Sequence, residues 1–286
     1  MIRVILRGRT GNNFFQYASA RYLSLKHGVS LVLDASWMSA RDYQQSLELK
    51  RLPIAAKIQR GPSFPARCLR GATGLHWLEW KYKQVWKEPE EDHSFNPAVL
   101  ELGPDSLLVG YFQSWKYFND IRPVLLTELD LNSLPWAAAS RDLRDELTDQ
   151  ESVAVHVRRT DYLDHTLTQV CGETYQTRAM DQLRDRLKDP VFYIFSDDLD
   201  WCRQKFTAPD CRIVDLPEAK NDPFSDLRMM SLAKHNIIVN SSYSWWSAWL
   251  NQNPHQSVIT PNAWGIGGAK APIHEKALPN WTPIPG

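Results

Sequence analysis

The feature that most narrows the choice of fold is a rhythm in the second half of the 286-residue chain. Short runs dense in Val, Ile and Phe occur at residues 152–157, 191–195, 212–214, 236–240 and 257–260. Helical patterns lie between several of them, at 175–187 and 226–234. Strands alternating with helices build βαβ units and a parallel sheet. Continuous apolar runs belong to strands covered on both faces. The first half opens the same way, with a strand at 2–6, a glycine-containing loop at 7–13, a helix at 14–27 and a strand at 31–33. Beyond Asp34 the pattern weakens among Trp, Pro and Arg. A further strand is predicted at 109–112, and a polar helix crossing between domains at 135–149. The expectation is an α/β protein of two Rossmann-like halves, residues 1–135 and 136–286, with a cleft between them. Ligands of open parallel sheets bind beyond the carboxyl ends of the strands, so the loops that follow strands are read first.

Composition narrows the partners. Thirty-three basic and 33 acidic residues cancel, which argues against a polyanion such as nucleic acid. A nucleotide needs only a few local cations. Cys68, Cys171, Cys202 and Cys211 are scattered without a C-x-x-C pair, a pattern that suits reduced thiols in a cytosol. The opening MIRVILRGRTG lacks the apolar stretch of a signal peptide. No run approaches the roughly 18 apolar residues of a membrane span. The expected location is the cytoplasm, with the inner face of a bacterial-type membrane as a peripheral contact. The segment 57–87 sets seven Lys and Arg against Glu79 alone and carries Trp77, Trp80 and Trp86. It reads as a solvated irregular insert; the competing readings are an acidic membrane surface or a glycan acceptor. Trp245, Trp246 and Trp249 sit at helical spacing and read as core.

Three segments could carry chemistry. In the first, a buried strand runs into His156-Val157-Arg158-Arg159-Thr160-Asp161. Alternation puts His156 and Arg158 on one face of the strand. An arginine at a strand's carboxyl end offers a rigid fork of N–H donors to a diphosphate. The competing reading is an Arg–Asp network that closes the strand. The second segment is Asn240-Ser241-Ser242-Tyr243-Ser244, a hydroxyl-rich turn between a strand and a helix. A helix N-terminus presents free N–H groups and partial positive charge, so it suits a cap or a phosphate. The third, Gly8-Arg9-Thr10-Gly11-Asn12-Asn13, follows the first strand. Gly11 allows close approach of a ligand to backbone, and the asparagines suit sugar hydroxyls. A tight turn with an Asn cap is the alternative. Asp197 and Asp198 follow another strand; one is expected to cap the next helix and the other to reach a guanine or ribose. Asp198-Leu199-Asp200 fits the D-x-D pattern of metal-dependent transferases, but the capping turn is the preferred reading and no metal site is expected.

Taken in order, these segments resemble the family 11 glycosyltransferases, the α-1,2-fucosyltransferases. The family's H-x-R-R-x-D motif corresponds to His156–Asp161, and its glycine- and asparagine-containing opening to Arg9–Ala18. Its N-S-S-x-S-W-W motif appears as Asn240–Trp246, followed by Ala248-Trp249-Leu250-Asn251. Ser196-Asp197-Asp198 and the closing Asn280-Trp281-Thr282-Pro283-Ile284 also fit. The resemblance implies a GT-B-like fold, GDP-fucose as donor, inversion at the anomeric carbon and no cofactor or metal. It implies an oligosaccharide or lipid-linked glycan as acceptor. Arg158 would hold the diphosphate and assist its departure, supported by Arg159 and Asp161, with His156 against the donor. Asn12 would position donor or acceptor, and Ser241, Ser242 and Ser244 would bind phosphate. Asn13 stands where the family has Gln, Arg9-Thr10 where it has Gly-Leu or a similar pair, and Thr160 where Gly is common. An Arg-Arg-Thr-Asp run also occurs in α-1,6-fucosyltransferases, so another linkage stays open, as does another GDP-sugar. A non-catalytic nucleotide- or glycan-binding protein is the rival class.

Overall fold

A computed structural model describes residues 1–36, 48–59, 79–89, 94–159, 171, 174–266, 269–271 and 273–286. The chain divides into two units, Met1–Asp130 and Leu131–Gly286. The 135–149 segment forms its helix at Ala138–Asp149, inside the second unit.

The first unit is built on a parallel sheet of β1 (Ile2–Ile5), β2 (Leu31–Asp34), β3 (Lys57–Gln59), β4 (Gln84–Lys87) and β5 (Ser106–Val109). Its order is β3-β2-β1-β5-β4. Helix α1 (Thr10–His27) joins β1 to β2 and buries Phe14, Phe15, Tyr17, Ala18 and Leu23. It starts four residues earlier than the sequence pattern predicts. Gly8, at φ 69°, turns the chain by itself. The Asn13 side chain then donates to the Arg7 carbonyl at 3.1 Å, which ties helix to turn. Gly28, at φ 61°, closes the helix as a left-handed cap whose N–H reaches the Leu25 carbonyl. The strand predicted at 109–112 is displaced. β5 ends at Val109, and the aromatic residues that read as strand form a turn. Within the 57–87 segment the described residues supply β3 and β4, with Trp80 between them 87% exposed; Trp77 lies outside the described residues. A short helix α2 (Arg122–Glu128) lies near the end of this unit.

The second unit has α3 (Ala138–Asp149), β6 (Ser152–Val157), α4 (Tyr175–Arg184), β7 (Val191–Ser196), α5 (Leu199–Lys205), β8 (Cys211–Ile213), α6 (Ser225–Leu232), β9 (His235–Ile237), α7 (Ser242–Leu250) and β10 (Val258–Pro261). A hairpin of β11 (Trp264–Ile266) and β12 (Ala269–Ala271) precedes β13 (Thr282–Ile284). The six-stranded sheet runs β13-β10-β9-β6-β7-β8, all parallel. Both faces are covered, as the apolar runs predict. Val153, Val155, Val157 and Ile194 pack with Ala179 and Leu183 of α4, while Ala154, Tyr193 and Phe195 pack with Met229 and Met230 of α6. Trp245, Trp246 and Trp249 are at most 1% exposed, with ring centroids 5.0–6.3 Å apart. Each buries about 200 Å², worth about 5 kcal/mol of transfer free energy at 25 cal/mol per Å².

Each sheet has one place where the chain reverses its direction of winding. In the first unit it lies between β1 and β5; in the second, between β6 and β9. Adjacent strands there send their loops apart, and the crevice left at their carboxyl ends is where α/β sheets bind ligands. Among the described residues, no helix is long and apolar enough to cross a membrane.

Candidate functional site

At the β6/β9 switch point, β6 delivers Arg158 and Arg159 directly from its last buried residue, Val157. β7 lies in register beside it, Val157 opposite Ser196, so Asp197 and Asp198 emerge next to the arginines. Arg158 Nε lies 3.3 Å from Asp197 Oδ2. The Arg159 N–H donates to Asp197 Oδ1 at 2.9 Å, and its Nε donates to Asp198 Oδ2 at 3.2 Å. The Arg159 guanidinium also lies 3.9 Å from the centroid of the Trp201 ring. Asp198 caps α5 as well, accepting from the Trp201 N–H at 3.1 Å. One carboxylate therefore ties Arg159, the helix start and the stacking ring together. A cation–π contact and an ion pair of this kind hold a guanidinium in one orientation. The expected cap is Asp198. Asp197, instead of standing open to a nucleoside, engages both arginines. The Arg–Asp network of the competing reading exists, built with Asp197 and Asp198; Asp161 lies outside the described residues.

Across the switch point, the chain leaves β9 through Ile238-Val239-Asn240 and enters α7 at Ser241. The Ser241 Oγ accepts from the Tyr243 N–H at 3.3 Å, as an N-cap does. Ser244 is fully buried and donates to the Ser241 carbonyl at 3.4 Å. Asn240, also buried, donates to the Gly265 carbonyl at 3.0 Å and so ties the turn to β11. Ser242 is half-buried on the first turn of α7. Of the four polar residues singled out in this turn, three build it and Ser242 is left at its surface.

Tyr243 joins the parts. Its ring lies 6.1 Å from that of His156. Its hydroxyl accepts from the Leu227 N–H and donates to the Pro223 carbonyl, both at 2.9 Å, which pins the start of α6. His156 is 5% exposed, as expected of a histidine on a buried strand. Asp226, in the first turn of α6, is the residue that sequence reasoning missed. Part of its side chain reaches solvent, yet its packed surroundings, with the Glu218 and Asp215 carboxylates, push its pKa up to about 7. The field of Asp226 in turn helps to hold the Tyr243 phenol well above its ordinary value, after burial. In the sequence Asp226 looked like any acid opening a helix.

At the β1/β5 switch point the loop after β1 carries Arg7 and Arg9, and the side chains paired across it are amides. Gly11 and Asn12 lie within the first turn of α1, not in a loop. Gly11 is buried, so it admits close helix packing where close approach of a ligand was expected. Asn13 is fully buried and serves the turn. Asn12 is half-buried, and its Oδ1 accepts from Gln113 Nε2 at 2.6 Å. Gln113 follows β5, so this amide pair spans the switch point. Asp198 and Asp200 of the D-x-D pattern are engaged as cap and as partner of Arg203, at 2.8 Å. The described residues hold no group of three or more His, Cys, Asp or Glu placed to bind a metal.

Residues 77–284 match the family model of Glycosyl transferase family 11. The chain is 27% identical to an α-1,2-colitosyltransferase of Escherichia coli, over 91% of this chain and 90% of that protein. It is 25% identical to the galactoside 2-α-L-fucosyltransferase Sec1 of Mus musculus, over 87% of this chain and 64% of that protein. Among solved structures, fucosyltransferase NodZ from Bradyrhizobium aligns over 86% of this chain and 91% of its own, with a TM-score of 0.50 and 14% identity. That likeness is one of fold: two parallel-sheet α/β halves of GT-B-like type.

Proposed function

Because the chain belongs to glycosyl transferase family 11, we propose that it transfers L-fucose from GDP-fucose to O2 of a terminal galactoside of a glycan, with inversion and without a metal ion. The observation that carries this reading is that Arg158 and Arg159 and the N-terminus of α7 follow the carboxyl ends of two neighbouring strands, β6 and β9, at the switch point. As the bond to the leaving GDP breaks, negative charge builds on the β-phosphate. Donors fixed in place beforehand stabilise that charge more in the transition state than in the ground state. Arg158 takes this role, and Arg159, held by Asp198 and Trp201, supports it. The N–H groups of α7 and the Ser242 hydroxyl complete the anion site. The α-1,2 linkage is supported by the names of both relatives.

The guanine edge presents two N–H donors and calls for a carboxylate. Asp197 and Asp198 are engaged by arginines, so we assign that contact to Asp226, beside Tyr243. His156 packs against the same ring and lines the donor site. Asp161 keeps the supporting role implied by the family motif. No general base is assigned: departure of the phosphate dominates a loose transition state.

A second reading is favoured by the E. coli relative. Colitose lacks one ring hydroxyl of fucose, and a site built mainly around GDP would accept either donor. Incubation with GDP-fucose and a β-galactoside in EDTA, with product mass and linkage measured, tests both. A fucosylated product bearing an α-1,2 bond supports the first reading. Turnover confined to another GDP-sugar overturns the donor, and a requirement for Mn²⁺ overturns the metal-free mechanism.

A further inference from the structure

Large apolar side chains in solvent gather at one end of the first unit. Among the described residues they are Met1, Leu25 and Trp80. Met1 precedes β1, Leu25 lies in the last turn of α1 before the chain enters β2, and Trp80 stands on the turn that leads into β4. This is the amino-terminal end of the parallel strands, opposite the β1/β5 crevice. Four-residue strands at about 3.3 Å per residue set the two ends roughly 13 Å apart. Trp80 is the extreme case at 87% exposed, yet its turn is fixed. The Tyr82 N–H donates to the Glu79 carbonyl at 3.1 Å, and the Glu79 carboxylate pairs with Lys87 at 2.7 Å. The half-buried Tyr82 ring packs on Ile5, Leu107 and Val109. Its hydroxyl accepts from Arg3 Nε at 2.5 Å, and Arg3 is itself held by buried Asp34. The turn thus anchors one aromatic ring and leaves the other, two residues earlier, in solvent. Lys81 and Lys83, on either side of Tyr82, are exposed, as is Lys57 at the start of β3. The loops that lead into β2, β3, β4 and β5, at residues 28–30, 53–56, 80–83 and 102–105, carry a single acid, Asp105.

We propose that this end of the first unit docks on an anionic lipid surface, with Trp80 at the headgroup level and Lys57, Lys81 and Lys83 against lipid phosphates. An indole is apolar with one N–H, and it settles where one side is dry and the other wet. Lysines beside it add attraction to an anionic leaflet. Two observations choose the occupant. β3 and β4 are the two edges of the sheet, about 19 Å apart at roughly 4.8 Å per strand, so the cations are spread for a flat surface and not for one small anion. A neutral glycan would use the ring and leave the lysines idle, whereas anionic lipid uses both. Docking by this end leaves the carboxyl-end crevice of the same unit open to solvent. The proposal is independent of the donor and of the acceptor.

The test is cosedimentation of the full-length protein with vesicles of phosphatidylcholine alone and of phosphatidylcholine and phosphatidylglycerol in equal parts. The wild type is expected to bind the mixed vesicles and to ignore the neutral ones. Binding should disappear between about 0.1 M and 1 M salt, as the screening length falls from about 10 Å to 3 Å. Lys81→Ala combined with Lys83→Ala should lower the partition coefficient about thirtyfold, roughly fivefold per lysine. Trp80→Ser should lower it about tenfold, the low end for burying a large apolar side chain. Thermal midpoints should stay at the wild-type value, because all three side chains are exposed. Lipids brominated in the acyl chain quench an indole that enters the interface; the quenching should be present in the wild type and lost in Trp80→Phe. Equal binding to both vesicle types, binding that survives high salt, or quenching retained in Trp80→Phe overturns the proposal. So does wild-type protein that binds no vesicle. If that protein instead forms a dimer in sedimentation velocity that Trp80→Ser dissociates, this end is a contact between two copies. The lipid and salt series need no variant, so they decide the proposal even where a variant fails to fold.

Discussion

The two units of this chain place polar side chains at the same topological point of a parallel sheet, with different partners. At the β6/β9 switch the residues are charged: two arginines locked by two aspartates, facing the start of a helix. At the β1/β5 switch an amide pair, Asn12 and Gln113, stands beside Arg7 and Arg9 of the loop after β1, and the Glu88 carboxylate accepts from two backbone N–H groups. On the proposed function, the arginine–aspartate network is the one suited to a leaving diphosphate. A departing diphosphate gains a full negative charge, while an incoming hydroxyl stays nearly neutral until late in the reaction. Pre-oriented cations are valuable at the first.

The comparison breaks most visibly at Arg158. Arg158→Ala removes a donor aimed at the developing charge, and kcat should fall about 10²–10³-fold, as when one oxyanion donor is lost. Steady-state GDP release with saturating donor measures it. Near-normal turnover would mean that the arginine network only closes the strand.

Asp226 gives the next largest effect, through pH. Its folded pKa of about 7 lies above the unfolded value of about 3.9. The folded state therefore holds a proton that the unfolded state releases. The associated stability is fully present below about pH 4 and is lost as pH rises through about 7. Asp226→Asn should flatten this slope, so that its thermal midpoint drops less than that of the wild type between pH 5 and pH 8. Each kcal/mol corresponds to about 2–4 °C for a chain of this size. Guanine N–H groups favour the ionised carboxyl, so GDP affinity should increase from pH 6 to pH 8 in the wild type and stay flat in the variant. Calorimetry at the two pH values decides; a parallel slope in both proteins removes Asp226 from the nucleotide site.

Much of this layout was legible in the sequence, and the illegible parts have physical reasons. Val-rich runs alternating with helical patterns gave away the doubly covered sheet, and Trp245, Trp246 and Trp249 declared themselves as core. That Arg158 and Arg159 emerge at a strand's carboxyl end followed from a run that stops at Val157. What the pattern could not show is pairing across strands. That Asp197 and Asp198 would meet Arg158 and Arg159 depends on the β6/β7 register, set by contacts some 40 residues apart. Asp226 gains its character from burial by other elements. The run Val109-Gly110-Tyr111-Phe112 has strand propensity, and a distant glutamate overrides it. The short edge strands β3 and β4 lie in a basic, aromatic stretch that carries no alternation to read.

A smaller effect sharpens the charged side. Trp201→Leu removes the ring under Arg159 while leaving the Asp198 cap in place. An exposed cation–π contact is worth about 0.5–1 kcal/mol, so KM for the donor should rise about two- to fivefold with acceptor KM unchanged. An equal rise in both would show that Trp201 supports the whole unit and not the arginine.

The smallest difference separates two adjacent serines. Ser241 caps α7 through the Tyr243 N–H, whereas Ser242 has no side-chain partner among the described residues. Ser241→Ala should cost about 1 kcal/mol of stability, the usual value of a cap, and lower the thermal midpoint by a few degrees. Ser242→Ala should leave the midpoint in place and raise the donor KM by the low end of a net hydrogen bond, about 0.5 kcal/mol or roughly twofold, because the half-exposed hydroxyl is readily replaced by water. Thermal scans and donor titrations of the two variants give four numbers. If Ser242→Ala destabilises and leaves the donor KM alone, this turn only starts a helix, and the phosphate contacts must then come from Arg158 and Arg159 alone.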